Sequence, residues 1–467
     1  MRSPKKKTSI ILLIITLFNF CSNLIAQEAP YGSLGLRRIY QSTLINPVLV
    51  PDSTCIKNSL SFVPFLPMSV FDFGVSADIG AMSLGKFTAG IEGGKLNLNT
   101  VVDNMNDSKN SNLFVGMNIS LLHVYLKVGK KGSRIEFSQR LKMSANTNMI
   151  NKNLFNAFIN TSSATNTLID LSDVRLKTMA WNEIAMGYTR PINEKWTVGG
   201  RLKYLTGVAY ADFSSQKLTA KIGPDGNSFD IDSKIRTASL NPISDTAYNN
   251  QDLTKYKNDN LSSLILSGLG KNNGLALDAG VNYEIQEGLN VFAGFNDLGF
   301  ISWKNNPLTY NTKVSLTDFN PIKKNPTTEE YEANFDEFTK NGLVTQESFS
   351  VALNTQFNIG NTWKPVKWFH STALIDAYLV NGTIQYPGIT VAGTLNGGNF
   401  SEFTMNAGYT QNRLFRIGTG MSIKAGVLQM HLFTNNITGL FNAANLQSID
   451  FQFGLSWAWR GKDKKTS

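Results

Sequence analysis

The segment GLALDAGVNYEIQEGLNVFAGFNDLGFISW, residues 274–303, decides the fold class. Its first half alternates between apolar residues and small, polar or charged residues, which is the period of a β-strand with two different faces. Gln286-Glu287-Gly288 then predicts a tight turn, and apolar alternation resumes at Leu289. A soluble sandwich and an outer-membrane β-barrel both contain such hairpins, so the rest of the chain must separate them. The apolar set is Leu275, Leu277, Ala279, Val281, Tyr283 and Ile285.

The N-terminus predicts export from the cytoplasm. Four basic residues between positions 2 and 7 precede an apolar run, residues 9–20, that is too short to span a bilayer. We therefore expect a signal peptide, residues 1–26, that is cleaved. Without its four basic residues the net charge falls from +10 to +6. No basic stripe with interleaved aromatic residues remains, so nucleic-acid binding is not expected.

The composition and the last strand favour a barrel in a membrane. Only 17% of residues are charged, whereas roughly a quarter is usual in soluble domains. After the signal peptide no apolar run is long enough for a transmembrane helix. Residues 448–460 alternate between apolar and small or polar residues throughout, and a sandwich strand is usually only about five or six residues long. Closure into a barrel removes exposed strand edges in lipid.

The predicted fold is all-β: a single transmembrane antiparallel β-barrel of about 14 strands, with roughly 12 to 16 allowed. We expect an N-terminal arm, residues 27–57, as a plug inside the barrel or a cap at its periplasmic mouth. The barrel itself is predicted over residues 58–460, and a charged periplasmic tail over residues 461–467. Helical spacing predicts short helices in residues 96–105, 154–159 and 327–338, the last opened by a Thr327/Glu330 capping box.

Two short elements are candidates for a functional role. Asn46-Pro47 in the arm favours a turn, and we interpret it as part of the plug. Alternation falters at Asn296, Asp297, Leu298 and Gly299, which predicts either a kink or bulge in the strand or a turn at the rim. The polar faces of the two best hairpins predict lumen-facing side chains at Arg201, Lys203, Asp278, Asn282 and Glu284.

Chemistry-bearing motifs are scarce. The three histidines, His123, His370 and His431, are far apart and match no metal-binding spacing. No nucleophile elbow, Walker loop or helix-opening glycine motif occurs. We therefore expect no enzyme activity, no cofactor and no metal.

Several motifs together resemble a family of outer-membrane β-barrels from Bacteroidota-type bacteria whose role is unknown. They are Tyr40-Gln41-Ser42 with Asn46-Pro47 and Pro51-Asp52, the segment 297–303, and Gly418-Thr419-Gly420 with the segment 434–437. Asn46-Pro47 is also similar to the Asn-Pro-Ala element of long-chain fatty-acid transporter (FadL-type) barrels, with Val48 in place of the alanine. This second resemblance implies a plugged barrel that passes hydrophobic molecules through a lateral opening.

Two functional hypotheses follow from the sequence. The first is an outer-membrane channel or transporter, porin-like in the broad sense, for a small solute, hydrophobic solutes included. The second is a structural or docking barrel without transport, acting as an accessory to secretion, adhesion or surface motility. Both place the chain in the outer membrane of a Gram-negative cell. Both imply contact with outer-membrane lipid and with the barrel-assembly machinery, and the solute or protein partner is left open.

Overall fold

The computed structural model describes most of the predicted barrel and part of the arm. The described residues are 31–51, 58–62, 72–79, 91–92, 95–96, 100, 103, 111–129, 132–150, 167–170, 175–222, 228–240, 270–317, 322–324, 331–333, 342–380, 383–384, 387–398, 400–409, 415–437 and 448–459. The predicted signal peptide, the charged tail and the helix predicted at residues 154–159 lie outside them, as does nearly all of the helix predicted at residues 96–105.

The described chain is almost entirely β-structure. The strands are β1 (Asn58–Phe62), β2 (Asp72–Ile79), β3 (Ile91–Glu92), β4 (Lys95–Leu96), β5 (Ser111–Val128), β6 (Ser133–Ile150), β7 (Thr167–Asp170), β8 (Arg175–Pro191), β9 (Trp196–Ile222), β10 (Ser228–Ser239), β11 (Asn273–Gln286), β12 (Leu289–Trp303), β13 (Leu308–Thr317), β14 (Ile322–Lys324), β15 (Tyr331–Ala333), β16 (Gly342–Thr345), β17 (Phe349–Ala352), β18 (Thr355–Val366), β19 (Phe369–Val380), β20 (Thr383–Ile384), β21 (Gly388–Gly397), β22 (Ser401–Tyr409), β23 (Phe415–Ala425), β24 (Leu428–Thr434) and β25 (Ser448–Trp459). A 3-10 turn, Tyr31–Ser33, and one α-turn, α1 (Ser42–Ile45), lie in the arm.

The strands close into a 14-stranded antiparallel barrel, which confirms the predicted fold class. β1 and β2 together form the first barrel strand, because both pair with β5 on one side and with β25 on the other. β17 and β18 likewise share one position beside β12. The order around the barrel is β1/β2, β5, β6, β8, β9, β11, β12, β17/β18, β19, β21, β22, β23, β24 and β25.

The two faces of the wall differ in polarity. Large apolar side chains point outward, and Met186 and Leu202 are 63% and 61% exposed on adjacent strands. Arg201 and Lys203, the sequence neighbours of Leu202, point inward and are buried. Exposed aromatic residues gather near the short turns, as at a membrane interface: Trp196, Trp363, Trp368, Trp457 and Trp459.

The two ends of the barrel are unlike. Short turns join β5 to β6, β8 to β9, β11 to β12, β18 to β19, β21 to β22 and β23 to β24, and this end is called the turn end. The connections at the opposite end, the loop end, are longer. There β9 runs past the wall, and β10, β13 and β16 pair in succession to extend the sheet beyond the barrel.

One predicted helix is wrong in the part that the structure describes. Tyr331–Ala333, inside the segment predicted from the Thr327/Glu330 capping box, forms β15 and pairs antiparallel with β14. Strand pairing with a neighbouring segment overrides the weak local helix preference there. Among the described residues, no helix is both long and apolar enough to cross a membrane.

Candidate functional site

The part of the arm that the structure describes, residues 31–51, lies inside the barrel. Its residues are buried apart from Arg37 and Val50, which are half-buried. Leu34, Ile45 and Leu49 pack in one apolar cluster with Phe292 and Leu374 of the wall. Burying an aliphatic side chain of this kind contributes about 1.5–3 kcal/mol. The apolar contacts therefore favour the docked arm, and the arm occupies the lumen.

The predicted element Asn46-Pro47 is an anchor of the arm. The Asn46 amide nitrogen donates to Asn358 Oδ1 at 2.7 Å, and the Asn358 amide donates to the Ile45 carbonyl at 3.0 Å. Asn296, from the predicted kink, donates to the same carbonyl at 2.6 Å. The Pro47 carbonyl accepts from Thr189 Oγ1 at 3.0 Å. The arm is thus tied to three different barrel strands at this point.

Three glycines of the wall make room for Asn46-Pro47. A Cβ atom on Gly280 would overlap Asn46 Oδ1, and one on Gly294 would lie 2.6 Å from Asn46 Nδ2. A Cβ on Gly199 would lie 3.2 Å from the Pro47 carbonyl oxygen. Because Gly280 pairs with both Gly199 and Gly294, the three form one flat patch across β9, β11 and β12. We call Gly199, Gly280 and Gly294 the glycine seat.

A second anchor forms around Asp72 in β2. The Tyr40 hydroxyl and the Gln41 amide of the arm both donate to Asp72 Oδ2 at 2.9 Å. Gln452 of β25 donates to the other carboxylate oxygen at 2.9 Å. The Tyr40 ring stacks on His123 with 3.4 Å between ring centroids. This anchor joins the arm to the barrel strands that close the wall.

The third anchor lies near the turn end. The Arg38 backbone N–H donates to Glu402 Oε2 at 2.9 Å, and its guanidinium bonds to the Gly398 carbonyl. The Gln429 amide donates to the Arg38 carbonyl at 2.7 Å, and His370 Nε2 lies 2.6 Å from the Gly35 carbonyl. All three anchors are polar, so a displaced arm could exchange them for water.

Beside the arm, charged side chains form a buried network on the lumen wall. Asp278 accepts from Arg201 Nη1 at 2.7 Å and from Lys203 Nζ at 2.6 Å. Lys203 also pairs with Asp297 at 2.6 Å, and Arg201 with Glu136 at 2.8 Å. Unpaired charges in such a place would be costly, and the pairing offsets that cost. Further members of the network are Arg140, Lys142 and Glu183.

The structure places the five side chains predicted to face the lumen as follows. Arg201, Lys203 and Asp278 meet in the charged network. Asn282, farther along β11, lines a cavity near the turn end. Glu284 is half-buried beside the turn, where its backbone N–H donates to the Lys195 carbonyl.

The sequence interpretation missed four members of the network, Glu136, Arg140, Lys142 and Glu183. Glu136, Arg140 and Lys142 lie at even positions of β6 and therefore share one face of that strand. Their pairing, such as that of Lys142 with Glu183 and with Asp297, depends on strand register, which alternation alone does not supply.

The segment Asn296–Gly299 is a β-bulge. Leu277 pairs with Leu298, whereas Ala279 pairs with Phe295, so Asp278 lies opposite two residues. Asp297 adopts a left-handed backbone with φ of 58°. Its N–H donates to Asp278 Oδ1 at 2.8 Å.

The bulge reverses the two faces of β12. Before it, Phe292 and Asn296 point inward, at even positions. After it, Leu298 and Phe300 are exposed, while Ile301 and Trp303 are fully buried. The wall stays closed here, because the Leu353 N–H of the next strand donates to the Gly299 carbonyl at 2.9 Å.

An apolar cluster lies on the lumen side of the wall, between the bulge and the loop end. It includes Trp181, Leu205, Ile301 and Trp303 together with Leu353. The lumen wall is therefore apolar towards the loop end and charged at the level of the bulge.

A cavity of about 710 Å³ lies between the arm and the wall near the turn end. Residues 48–50 of the arm line it, as do Asn282, Lys364 and Lys367 of the wall and its turns. Trp368, also in the lining, is 62% exposed, so the cavity reaches the surface at this end. We call this cavity the vestibule. In the part of the chain that the structure describes, no cluster of His, Cys, Asp and Glu has a metal-binding arrangement.

Comparison with known proteins gives a family and several structures. The model of a family of unknown function, DUF5723, matches residues 62–435. No curated protein matches the sequence. The toluene transporter TodX of Pseudomonas putida is 8% identical with a TM-score of 0.38, over 93% of this chain and 95% of TodX.

Two other solved structures give similar values. A Pseudomonas aeruginosa FadL homologue is 9% identical with a TM-score of 0.44, over 93% of this chain and 98% of the homologue. The toluene transporter TbuX of Ralstonia pickettii is 9% identical with a TM-score of 0.40, over 94% of this chain and 100% of TbuX.

Proposed function

Since this chain belongs to the DUF5723 family of unknown function, we propose its role from its own geometry: an outer-membrane barrel that passes a small solute, hydrophobic solutes included, when the arm moves. The outward face of the wall supports a location in the membrane, because exposed apolar side chains such as Met186 and Leu202 are favourable in contact with lipid and unfavourable in contact with water. The proposal includes export through the cleaved signal peptide in a Bacteroidota-type Gram-negative cell and insertion by the barrel-assembly machinery.

The observation that carries the transport proposal is how the arm is held. Its anchors are hydrogen bonds to polar wall residues such as Asp72, Asn358 and Glu402. A hydrogen bond exchanged for one to water costs only about 0.5–1.5 kcal/mol net. The wall, by contrast, is held by continuous strand ladders. A local shift of the arm breaks these few hydrogen bonds and some apolar contacts of the arm with Phe292 and Leu374, whereas opening the wall breaks whole strand ladders. The arm is therefore the part that moves at the lower cost, and its shift would connect the vestibule to the lumen at the loop end.

A reversible crosslink of the arm tests this proposal. A Cβ built on Gly35 lies 3.3 Å from the Thr404 Cβ, close to the separation in disulfides of about 3.5–4.5 Å. We use Gly35→Cys with Thr404→Cys in a background with Cys55→Ala and Thr394→Ala, since the Thr394 hydroxyl would otherwise overlap the new side chain. Uptake of small solutes into proteoliposomes should fall to the level of empty liposomes on oxidation and return on reduction.

A crosslink within the wall is the matched control. Gly397→Cys with Ser401→Cys, in the same background, joins β21 to β22 without touching the arm, and the Cβ separation is 3.7 Å. Its uptake should not respond to oxidation. Equal uptake by the oxidised and reduced arm variant would contradict a moving arm. Absence of uptake in every form would contradict transport and favour a docking barrel.

A separate observation favours the second candidate function, a docking barrel without transport. The sheet of β10, β13 and β16 continues beyond the barrel wall, and its Lys313 is 88% exposed. A photo-crosslinker at position 313 in intact cells should then capture one protein in high yield. A spread of abundant barrels and lipoproteins would count against docking.

A further inference from the structure

The vestibule has an uneven charge. Four basic side chains line it, Arg37, Arg38, Lys364 and Lys367, together with one carboxylate, Glu402. Glu402 is already engaged by Arg38, with 3.6 Å between Arg38 Nε and Glu402 Oε1. A cationic solute would meet repulsion here and find no second carboxylate among the lining residues. The lining therefore favours an anion.

Arg38 is a nearly buried member of the vestibule lining. Its side chain is only 7% exposed, and its Nη2 bonds to the Gly398 carbonyl. Its Nη1 is buried and has no hydrogen-bond partner among the described residues. Arg38 lines the vestibule, and its bonds to Gly398 and Glu402 hold its positive charge at the cavity wall, where it favours an anion.

Neutral groups of the lining fit the same ligand. Asn282, Asn290 and Asn396 bring amide groups that can donate to oxygen. Arg37 is oriented by a bond from its Nη2 to Thr362 Oγ1 at 2.6 Å. The donors are thus spread over the arm and several barrel strands around the cavity.

The vestibule also has an apolar side. Val48 and Leu49 of the arm are buried beside it, and exposed Trp368 lies at its mouth. A volume of about 710 Å³ is in the range of small-molecule sites, about 300–1,000 Å³. Inorganic anions alone would leave this apolar surface uncovered.

From these four observations, we propose that the vestibule is a binding site for small organic anions, carboxylates or phosphate esters with an apolar part. Binding needs only the docked arm, so this inference does not depend on the transport proposal.

The test is calorimetric titration of the purified full chain in a non-ionic detergent. Benzoate and phenyl phosphate are the probes, inorganic phosphate lacks the apolar part, and benzyltrimethylammonium reverses the charge. At least one of the two organic anions should bind, and more tightly than inorganic phosphate, while the ammonium compound should not. The comparison between benzoate and phenyl phosphate tells which oxyanion the site takes.

Variants locate the site. Lys364→Gln with Lys367→Gln should weaken binding about tenfold or more, since two positive charges next to the anion are removed. Arg38→Lys keeps the charge but loses the planar fork, and it should also weaken binding. Arg190→Gln with Lys195→Gln removes two exposed charges near another turn at the same end, outside the lining, and should leave affinity unchanged.

The opposite results would overturn the proposal. They are no binding of either organic anion, equal binding of the ammonium compound, or equal losses in the lining pair and the Arg190/Lys195 pair. Unaltered heat-modifiable gel mobility of each variant shows that the barrel has folded. The oxidised Gly35→Cys/Thr404→Cys chain should bind as well as the reduced one, so failed transport and failed anion binding are separable.

Discussion

At the scale of single residues, Asn46 and the glycine seat form a lock between arm and wall. Asn46 can be interpreted from the sequence, because Asn-Pro favours a turn. The glycine seat cannot be predicted from the sequence, because Gly199 is far from Gly280 and Gly294 in the chain and each of the three by itself is an ordinary strand glycine. Only the strand register brings the three under one side chain.

Gly280→Ala tests this lock. The added methyl group overlaps Asn46 Oδ1, so we expect a loss of about 1–3 kcal/mol in unfolding free energy, as for other overpacked sites. Urea unfolding of the barrel in lipid vesicles gives the measurement. Gly200→Ala is the control, because its Cβ meets only the Asp278 carbonyl, at 3.4 Å.

The double variant Gly280→Ala/Asn46→Ala tests whether the methyl group at position 280 destabilises the barrel through its overlap with Asn46. It should cost less than the sum of the two single variants, because the overlapping amide is gone. Strict additivity would mean that the methyl group acts somewhere other than on Asn46.

At the scale of elements, β12 shows where alternation predicts a strand and where it fails. Residues 290–295 pair with β11 in regular register, and the loss of phase predicted at Asn296–Gly299 coincides with the bulge. The assignment of Ile301 and Trp303 to the buried face could not be predicted, because a single extra residue exchanges the two faces. The Asp297 carboxylate then reaches Lys203, which fixes the bulge to the charged network.

The left-handed backbone of Asp297 leads to an ordering of variants. Asp297→Gly and Asp297→Ala lose the same ion pairs, but only glycine adopts a φ of 58° without strain. We expect the glycine variant to be more stable by about 1 kcal/mol, measured by the same unfolding assay. At Ser302, in regular β12 backbone, the order should reverse. An alanine variant at position 297 as stable as the glycine variant would show that the backbone is free to relax.

At the scale of the whole molecule, an apolar exterior surrounds a polar, occupied interior. The closed barrel could be predicted because period-2 alternation extends over long segments, and the final strand shows it best: Phe451, Trp457 and Trp459 are exposed while Gln452 and Ser456 are buried. The number of strands could be predicted only as about 14 within a range of roughly 12 to 16. The extension beyond the wall and the vestibule could not be predicted, because they depend on which strands pair and how far.

If the outward face of the wall contacts lipid, a charged substitution there should lower the unfolding free energy by an amount that depends on its depth in the membrane. Leu202→Lys places a charge well above the turn end on the outward face, and we expect it to reduce the unfolding free energy in vesicles by about 2–4 kcal/mol. Ile192→Lys, in the exposed turn between β8 and β9, should cost about 0–1 kcal/mol. Equal costs at the two positions would argue against a bilayer around this wall.

The anchors of the arm also imply an order of assembly. Arg38 and Glu402 are 364 positions apart, and Gly32 bonds to Asn435, 403 positions away. Such contacts close some of the largest loops of the chain, so we expect them to form late in folding, together with the pairing of β1 and β25. The arm is synthesised before any strand, yet it has no complete binding surface until β22 to β25 are in place. The time at which the arm becomes protected from proteolysis would therefore report the time at which the barrel closes.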